Sequence, residues 1–494
     1  MPNGTDDAVD EGFLVEEGVT HHGGAPPRGL MSVPKSRLHE GRFGRMFRNL
    51  PIPRPPREAL IALGNAMPEE NRPAATADNP RIPAAYTYLG QFIDHDITFD
   101  PVSKLQRLND PDALVTFRTP RYDLDSLYGR GPSDTPFLYE WLNPTFRGVK
   151  LLAGRNPQRD PVDGEDLDRQ DLPRNEQGRA LIGDPRNDEN IIVGQFHLAF
   201  IKLHDRVVDR VKEDKGLSGA ELFEEARRLV TWHYQWVVVH DFLRRVAGDA
   251  IVNDVLTNGR KFFEWEDQPF MPVEFSVAAY RFGHSMIRPA YDLNEVVTGV
   301  PIFSRKDRPA NREHLGGFRR LPSFWTIDWS HFVKIDRTRP QRSRKINIRL
   351  ARPLMKLPAS VNAGRNPLAV LNLRRGKALQ LPSGQSVAQH MGETPLTAAE
   401  LELSRLRGLK AAHRALLEQD TPLWFYVLKE AEVRANAERL GPVGGRIVAE
   451  VLIGLLDGDP SSFLRVEPNW KPAGIPAKTA GEFTLADLLT FATR

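Results

Sequence analysis

Tyr88-Leu-Gly-Gln-Phe-Ile-Asp-His-Asp-Ile-Thr98 reads as one helix that turns polar groups inward. Gln91 and His95 are four residues apart, and Asp94 is three from Gln91. On a helix those spacings put the three side chains on neighbouring positions of one face. Asp96 points elsewhere. A helix of a soluble protein buries its apolar side, so a Gln/Asp/His cluster beside Phe92, Ile93 and Ile97 needs a reason. For His95 taken alone, a hydrogen-bonded core histidine is the plainer reading. The remainder of the chain changes that balance.

Outward from this stretch, 494 residues allow several domains or one large helical one. Hydrophobic residues at 40% and charged residues at 27% are ordinary for a soluble protein. Lys and Arg number 67 against 64 Asp and Glu, a net charge of +3, which is too balanced to point to nucleic acid or an anionic membrane surface. Cysteine is absent, which excludes disulfides, thiolate metal sites and a cysteine nucleophile. Met1-Pro-Asn-Gly-Thr-Asp-Asp is acidic with no apolar core, so no secretory signal is visible, and the expectation is a cytoplasmic protein or one exported by a non-classical route. The apolar run from Ile447 to Leu456 contains Glu450 and is too short to span a bilayer.

Residues 1–80 are rich in Gly, Pro, Arg and Asn and read as an arm, partly disordered or wrapped over a core; residues 81–494 read as one domain. His21-His22 reads as solvated tail rather than a metal tract. Thr119, Asp123 and Asp125 alternate as oxygen donors in a way that suits a hard cation, although taken alone an acidic solvated turn is the plainer reading. Asn187 or Asp188 can cap a helix whose stripe is Ile192, Phe196, Phe200, Leu203, Val207 and Val211. A second long helix is expected over 220–247, and further ones over 275–289, 368–376, 397–419, 422–440 and 442–457. The fold class is therefore mainly α. His197 and His204 on one helix read as structural, and Trp232 and Trp236 as core.

Three readings use these residues. His95-Asp96, His204-Asp205 and His240-Asp241 allow a metal-dependent phosphohydrolase. The proline-rich arm and the basic 300–350 region allow a non-catalytic interaction protein. A haem enzyme needs one neutral histidine on iron and a base plus a cation opposite, roles that His284, His95 and Arg186 can fill. The set Gly90-Gln-Phe-Ile-Asp-His-Asp96, Thr119…Asp123…Tyr128-Gly129, Arg186-Asn-Asp-Glu189, Arg281-Phe-Gly-His284 and Asn372-Leu-Arg-Arg375 resembles the animal-type haem peroxidases of the peroxidase–cyclooxygenase superfamily. Order and spacing both match. Gly441 to Asp459 is similar to the family's C-terminal helix.

The resemblance implies a single large helical haem-peroxidase domain behind an irregular N-terminal arm. It implies haem b, reduction of hydrogen peroxide, oxidation of halide, pseudohalide or phenolic donors through a ferryl species, and a place in the response to oxidative stress. His95 resembles the distal base, Arg186 the distal cation, and Gln91 the amide that orients distal water or a small anion. His284 resembles the proximal iron ligand, Asn372 the partner of its second ring nitrogen, and Arg375 an arginine paired with a haem propionate. Asp94 and Glu189 fall where the family forms ester links to haem methyl groups. Asn190 stands where the halide-oxidising white-cell enzyme has methionine, so no third link is implied. Asp96, Thr119, Asp123, Asp125 and the Arg121 carbonyl resemble a calcium site that would tie the helix bearing His95 to a rigid ion. Fatty-acid dioxygenases of the superfamily carry a tyrosine three residues before the proximal histidine. Arg281 stands there, with Tyr280 one place off, which favours a peroxidase over a dioxygenase. The missing cysteines suggest a microbial relative.

Overall fold

The computed structural model describes residues 41–69, 74–98, 115–116, 120–154, 170–266, 268–304, 313–358 and 366–493. Its frame is helical: α1 (Arg57–Asn65), α2 (Ala85–Ile97), α3 (Ile191–Lys215), α4 (Gly219–Val237), α5 (Asp249–Asn258), α6 (Leu368–Ala378), α7 (Leu423–Ala435), α8 (Pro442–Asp457) and α9 (Leu485–Thr493). Strands are short and peripheral. Gly41–Gly44 pairs antiparallel with Val115–Thr116 and parallel with Met271–Pro272, and Asp78–Pro83 pairs antiparallel with Arg342–Arg344. Within the stretch read as a wrapped arm, α1 buries Leu60 and Leu63 and packs against α6. Gly64 makes that approach possible, since a Cβ there would lie 2.8 Å from the Val370 nitrogen. Residues 1–40, including His21-His22, lie outside the described residues.

α3 carries the expected stripe inward: Ile192, Phe196, Phe200, Leu203, Val207 and Val211 are all buried. Its cap differs from the expectation. Asn190, not Asn187 or Asp188, accepts from the Ile192 nitrogen at 2.9 Å. Residues Pro185–Asp188 form their own 3₁₀ turn, capped by Asp184, and the Asp188 carboxylate is committed to Arg174 at 2.7 Å. At the far end Gly216 adopts the left-handed conformation (φ 67°), with Lys212 and Lys215 in the last turn.

The helix expected over 220–247 contains a π turn at Val238–Leu243 before it resumes at Arg244–Ala247. Such wide turns are concentrated at functional sites. Here it places the Asp241 carboxylate 2.7 Å from the Tyr86 hydroxyl and 2.9 Å from the Leu485 nitrogen. The same turn sets Phe242 against Gly90, where an added Cβ would lie 3.3 Å from the ring. The helix expected over 275–289 is not α either. It is a π turn at Glu274–Ala278 followed by a 3₁₀ stretch at Ala279–Met286. Side chains draw main-chain groups away at the break: Arg281 Nε donates to the Ser276 carbonyl at 3.0 Å. The pattern over 397–419 is interrupted at Glu402, whose φ of 52° ends the turn that Thr397 and Glu400 open as a capping box.

α2, the organising helix, buries Phe92 face to face with Phe200 on α3, centroids 4.6 Å apart. α7 and α8 meet through Glu430, whose carboxylate accepts from the Val443 nitrogen at 3.0 Å and the Gly444 nitrogen at 3.1 Å. Burial pushes this carboxyl up to about 7, against the opposing effect of those two donors. A raised folded-state value means the folded chain holds the proton longer than the unfolded chain. That stabilisation is complete below the unfolded value and is lost as pH rises towards about 7, a change on the order of 3 kcal/mol. Thermal denaturation of wild type and Glu430→Gln from pH 4.5 to 8 is therefore expected to show a wild-type decline that the variant flattens. Parallel curves would contradict this. Among the described residues no helix is long and apolar enough to cross a membrane.

Candidate active site

α2 turns Gln91, Asp94 and His95 towards one cavity, as their spacing predicts. His95 is buried, and its Nδ1 lies 2.8 Å from Asn187 Oδ1. Its Nε2 faces Glu189 Oε1 at 3.9 Å. Gln91 Nε2 donates to the same Glu189 oxygen at 2.6 Å. Burial, followed by the nearby Arg186 charge, holds the His95 imidazolium below its ordinary range, so the ring is a neutral base at neutral pH. Arg186 lines the cavity and also braces the end of α2. Its Nη2 donates to the carbonyls of His95 (2.8 Å) and Thr98 (2.6 Å), and it pairs with Asp184 at 2.7 Å.

The opposite wall comes from Ala279–Met286 and α6. His284 Nδ1 is 2.9 Å from the Asn372 side-chain amide, and Arg281 Nη1 reaches Asn372 Oδ1 at 3.4 Å. Burial and the Arg281 charge lower the His284 value to about 3, which keeps this imidazole neutral as a metal ligand must be. A metal on Nε2 leaves the proton on Nδ1, which then calls for the amide oxygen; the two ends of a carboxamide exchange by rotation. Tyr280 ties the two walls together, its hydroxyl donating to the Gly90 carbonyl on α2 at 3.1 Å.

Gln91, Asp94, His95, Arg186, Glu189, His284 and Arg375 all line one cavity of about 1180 Å³. That exceeds the roughly 300–1,000 Å³ usual for small-molecule sites. Phe242, Val277, Ile287, Leu354 and Leu368 supply apolar walls, and Arg281 joins Arg375 as a cationic group in the lining. Size, apolar walls, two neutral imidazoles from separate elements and lining arginines together fit an anionic planar macrocycle with a central metal.

Asp96 points away from the cavity, as expected. Ligand atoms of Asp96, Asp123 and Asp125 lie within 4.8 Å of one another. Leu124, buried and in the left-handed conformation (φ 56°), folds the turn so that Asp123 and Asp125 face the same way. Gly183 permits the close approach of the next segment, since a Cβ there would lie 2.6 Å from the Asp125 carbonyl. Thr119 lies outside the described residues, and the contribution assigned to Arg121 is a backbone carbonyl only.

The three His-Asp dipeptides do not converge. His204 bonds Tyr128 (3.1 Å) and the Val149 carbonyl (2.9 Å), while His240 stacks on Trp236 at 3.8 Å. Among the described residues the candidate metal group is the three-aspartate cluster, with no histidine in it. Other residues of the site escaped sequence reasoning. Asn187 is a hydrogen-bond partner of His95 rather than a cap. Arg174, which no quoted motif includes, chelates Asp188 at 2.7 and 2.8 Å and Asp171 at 2.9 and 3.1 Å, fixing the turn that carries Arg186 and Asn187. No spacing rule signals these contacts, because they join loops to a helix start.

The sequence profile described as animal haem peroxidase matches residues 106–309, a span that holds Arg186, Glu189 and His284. Peroxidasin of Drosophila melanogaster is 21% identical over 387 residues, covering 73% of this chain and 23% of the relative. The chain spans about a fifth of the length of the peroxidasins it matches. Among solved structures, peroxidase A from Dictyostelium discoideum superposes with a TM-score of 0.56 at 15% identity, covering 88% of this chain and 89% of that one. Oryza sativa fatty acid alpha-dioxygenase superposes with a TM-score of 0.52 at 16% identity, covering 81% and 72%. At such identities the superpositions speak for the helical fold alone.

Proposed function

We propose that the chain, whose residues 106–309 match the animal haem peroxidase profile, is a haem peroxidase that reduces hydrogen peroxide at the expense of small halide, pseudohalide or phenolic donors. The observation that carries this reading is the pair of imidazoles, His95 and His284, which reach one cavity from separate elements and are both held neutral. His284 would hold haem iron through Nε2, with Asn372 orienting the ring and Arg375 paired with a propionate. Haem, when bound, supplies the two-electron redox chemistry that splits the O–O bond. His95 Nε2 takes a proton from peroxide and returns it to the departing oxygen, which leaves as water. Arg186 offers fixed positive charge to that oxygen, and Gln91 orients water or a small anion beside it. Gln91, His95 and Arg186 make this end of the cavity polar and cationic, which supports anionic donors. The test is peroxide-driven oxidation of a phenol and of bromide by the haem-loaded protein. Haem-loaded protein that consumes neither peroxide nor donor rules the proposal out.

The Asp94 and Glu189 carboxylates both line the cavity, which supports two ester links to haem methyl groups. Acidified organic solvent is then expected to leave the haem on the polypeptide after a few turnovers with peroxide. Haem that partitions into the solvent from wild type excludes the esters.

We further propose calcium at Asp96, Asp123 and Asp125. Three carboxylates so close repel one another unless a cation offsets them. Calcium at about 100 times its dissociation constant adds about 2.7 kcal/mol to folding. Chelation is expected to lower Tm and calcium to restore it, with Asp123→Ala insensitive to both. A wild-type Tm unmoved by either treatment contradicts the site.

Tyr280 gives the dioxygenase reading its footing, because a phenol stands in the cavity wall one residue from the expected position. Oxygen uptake on a long-chain fatty acid, with peroxide as activator, decides between the two readings; none is expected.

A further inference from the structure

Asn187 is fully buried between two imidazoles. Its Oδ1 lies 2.8 Å from His95 Nδ1 and its Nδ2 lies 3.0 Å from His197 Nδ1. The two ends of a carboxamide have opposite roles: the oxygen accepts and the NH₂ donates. With Nδ2 donating to His197, the acceptor is an unprotonated His197 Nδ1, and the proton of that ring sits on Nε2. With Oδ1 accepting from His95, the donor is His95 Nδ1–H, and the lone pair of that ring sits on Nε2. Nε2 is the nitrogen that faces Glu189 and the cavity. Turning the amide over would reverse both rings together and leave His95 with a proton on Nε2, unable to accept another there.

The surroundings hold this arrangement still. The 185–188 turn is fixed by Asp184 at its start and by Arg174 on Asp188. It sits against α3 beside Gly194, one turn before His197, where an added Cβ would make an ordinary 3.4 Å contact with the Asn187 carbonyl. The His197 ring meets Phe92 of α2 edge-on, centroids 6.2 Å apart. The amide therefore links α3 to the ring of His95, and the proton placement on each ring is tied to the end of the amide that faces it.

We infer that Asn187 is a positioning residue that decides which nitrogen of His95 carries the proton, and that His197 decides which way round Asn187 stands. This rests on the peroxidase reading, in which His95 Nε2 is the base. Removing the amide leaves a buried N–H or ring nitrogen to find another partner, and the neutral ring then divides between its two proton placements.

The test uses the haem-loaded protein in its diamagnetic ferrous carbon-monoxide form, with ¹⁵N-labelled histidine, beside stopped-flow reaction with peroxide. Wild type is expected to show His95 protonated on Nδ1 and His197 on Nε2. Asn187→Ala is expected to mix the His95 forms and to slow the reaction with peroxide about tenfold, as loss of one buried hydrogen bond does, while the later oxidation of donor is unchanged. Asn187→Asp keeps an acceptor towards His95 and replaces the NH₂ facing His197 with a second acceptor. It is expected to preserve the His95 form and to move the His197 proton to Nδ1. That inversion at one ring only is not a consequence of general loosening, and it remains readable if the alanine variant folds poorly. A His95 proton placement and peroxide rate equal to wild type in Asn187→Ala, or an unmoved His197 in Asn187→Asp, overturns the inference. A wild type that takes up haem but does not react with peroxide overturns the peroxidase reading instead.

Discussion

Replacing His284 with alanine is expected to lower haem affinity by more than about a hundredfold, beyond the 10–100-fold that losing an outer partner of a metal ligand costs. His284 is the imidazole on the 279–286 wall that is kept neutral by burial and by Arg281, so a metal need not displace an imidazolium proton, and the one proton of the neutral ring sits on Nδ1 when Nε2 binds a metal. Asn372→Ala, which removes only the partner 2.9 Å from Nδ1, is expected to sit within the smaller range. Free imidazole should fill the space left by the alanine and recover part of the wild-type spectrum. If esters to Asp94 and Glu189 retain the haem, the spectrum of the alanine variant still changes, because the bond from His284 is gone. A His284→Ala spectrum identical to wild type, with haem retained, would assign the metal to another residue.

Replacing His95 with alanine is expected to slow the reaction with peroxide by about 10²–10⁴-fold, the range for removal of a positioned general base. Haem uptake should change little, since His95 stands on the other wall. The pH dependence separates this role from a packing defect. His95 is held below its ordinary range, so its base form persists into acid. The wild-type rate should stay level through neutral pH and fall only in acid, as the ring takes up a proton. The alanine variant should lack that acid limb. Equal rates in the two proteins would remove His95 from the chemistry.

Much of this site was legible in the chain because helical periodicity carries it. Gln91, Asp94 and His95 needed only a helix over 85–97 to share a face, and Asp96 needed only to be the next residue to point away. The motif around Arg186 and that around His284 were legible by resemblance rather than by pattern. Their backbones are a 3₁₀ turn and a π/3₁₀ stretch, where the α-helical period no longer predicts which side chains align. The three-aspartate cluster was half legible: its oxygen spacing is in the sequence, while its convergence with Asp96 depends on Leu124 adopting a left-handed conformation that leucine seldom takes. Asn187 was misread because an asparagine before an apolar stripe usually caps the helix. The cap went to Asn190, and the amide at 187 was drawn to two histidines that lie far apart in the chain. Arg174 and Asp171 carried no signal at all, because a buried arginine in a polar loop looks like a solvated one until its partners are seen.

The central claim is that His95 and His284 face each other across one haem. The most direct measurement is a haem titration of the purified chain followed at the Soret band, repeated on His284→Ala. The account predicts a band that saturates at one haem per chain with a histidine-ligated ferric spectrum, lost or altered in the variant, and prompt spectral change of the wild type with peroxide. A chain that develops no Soret band, or one whose band rises without saturating, contradicts it.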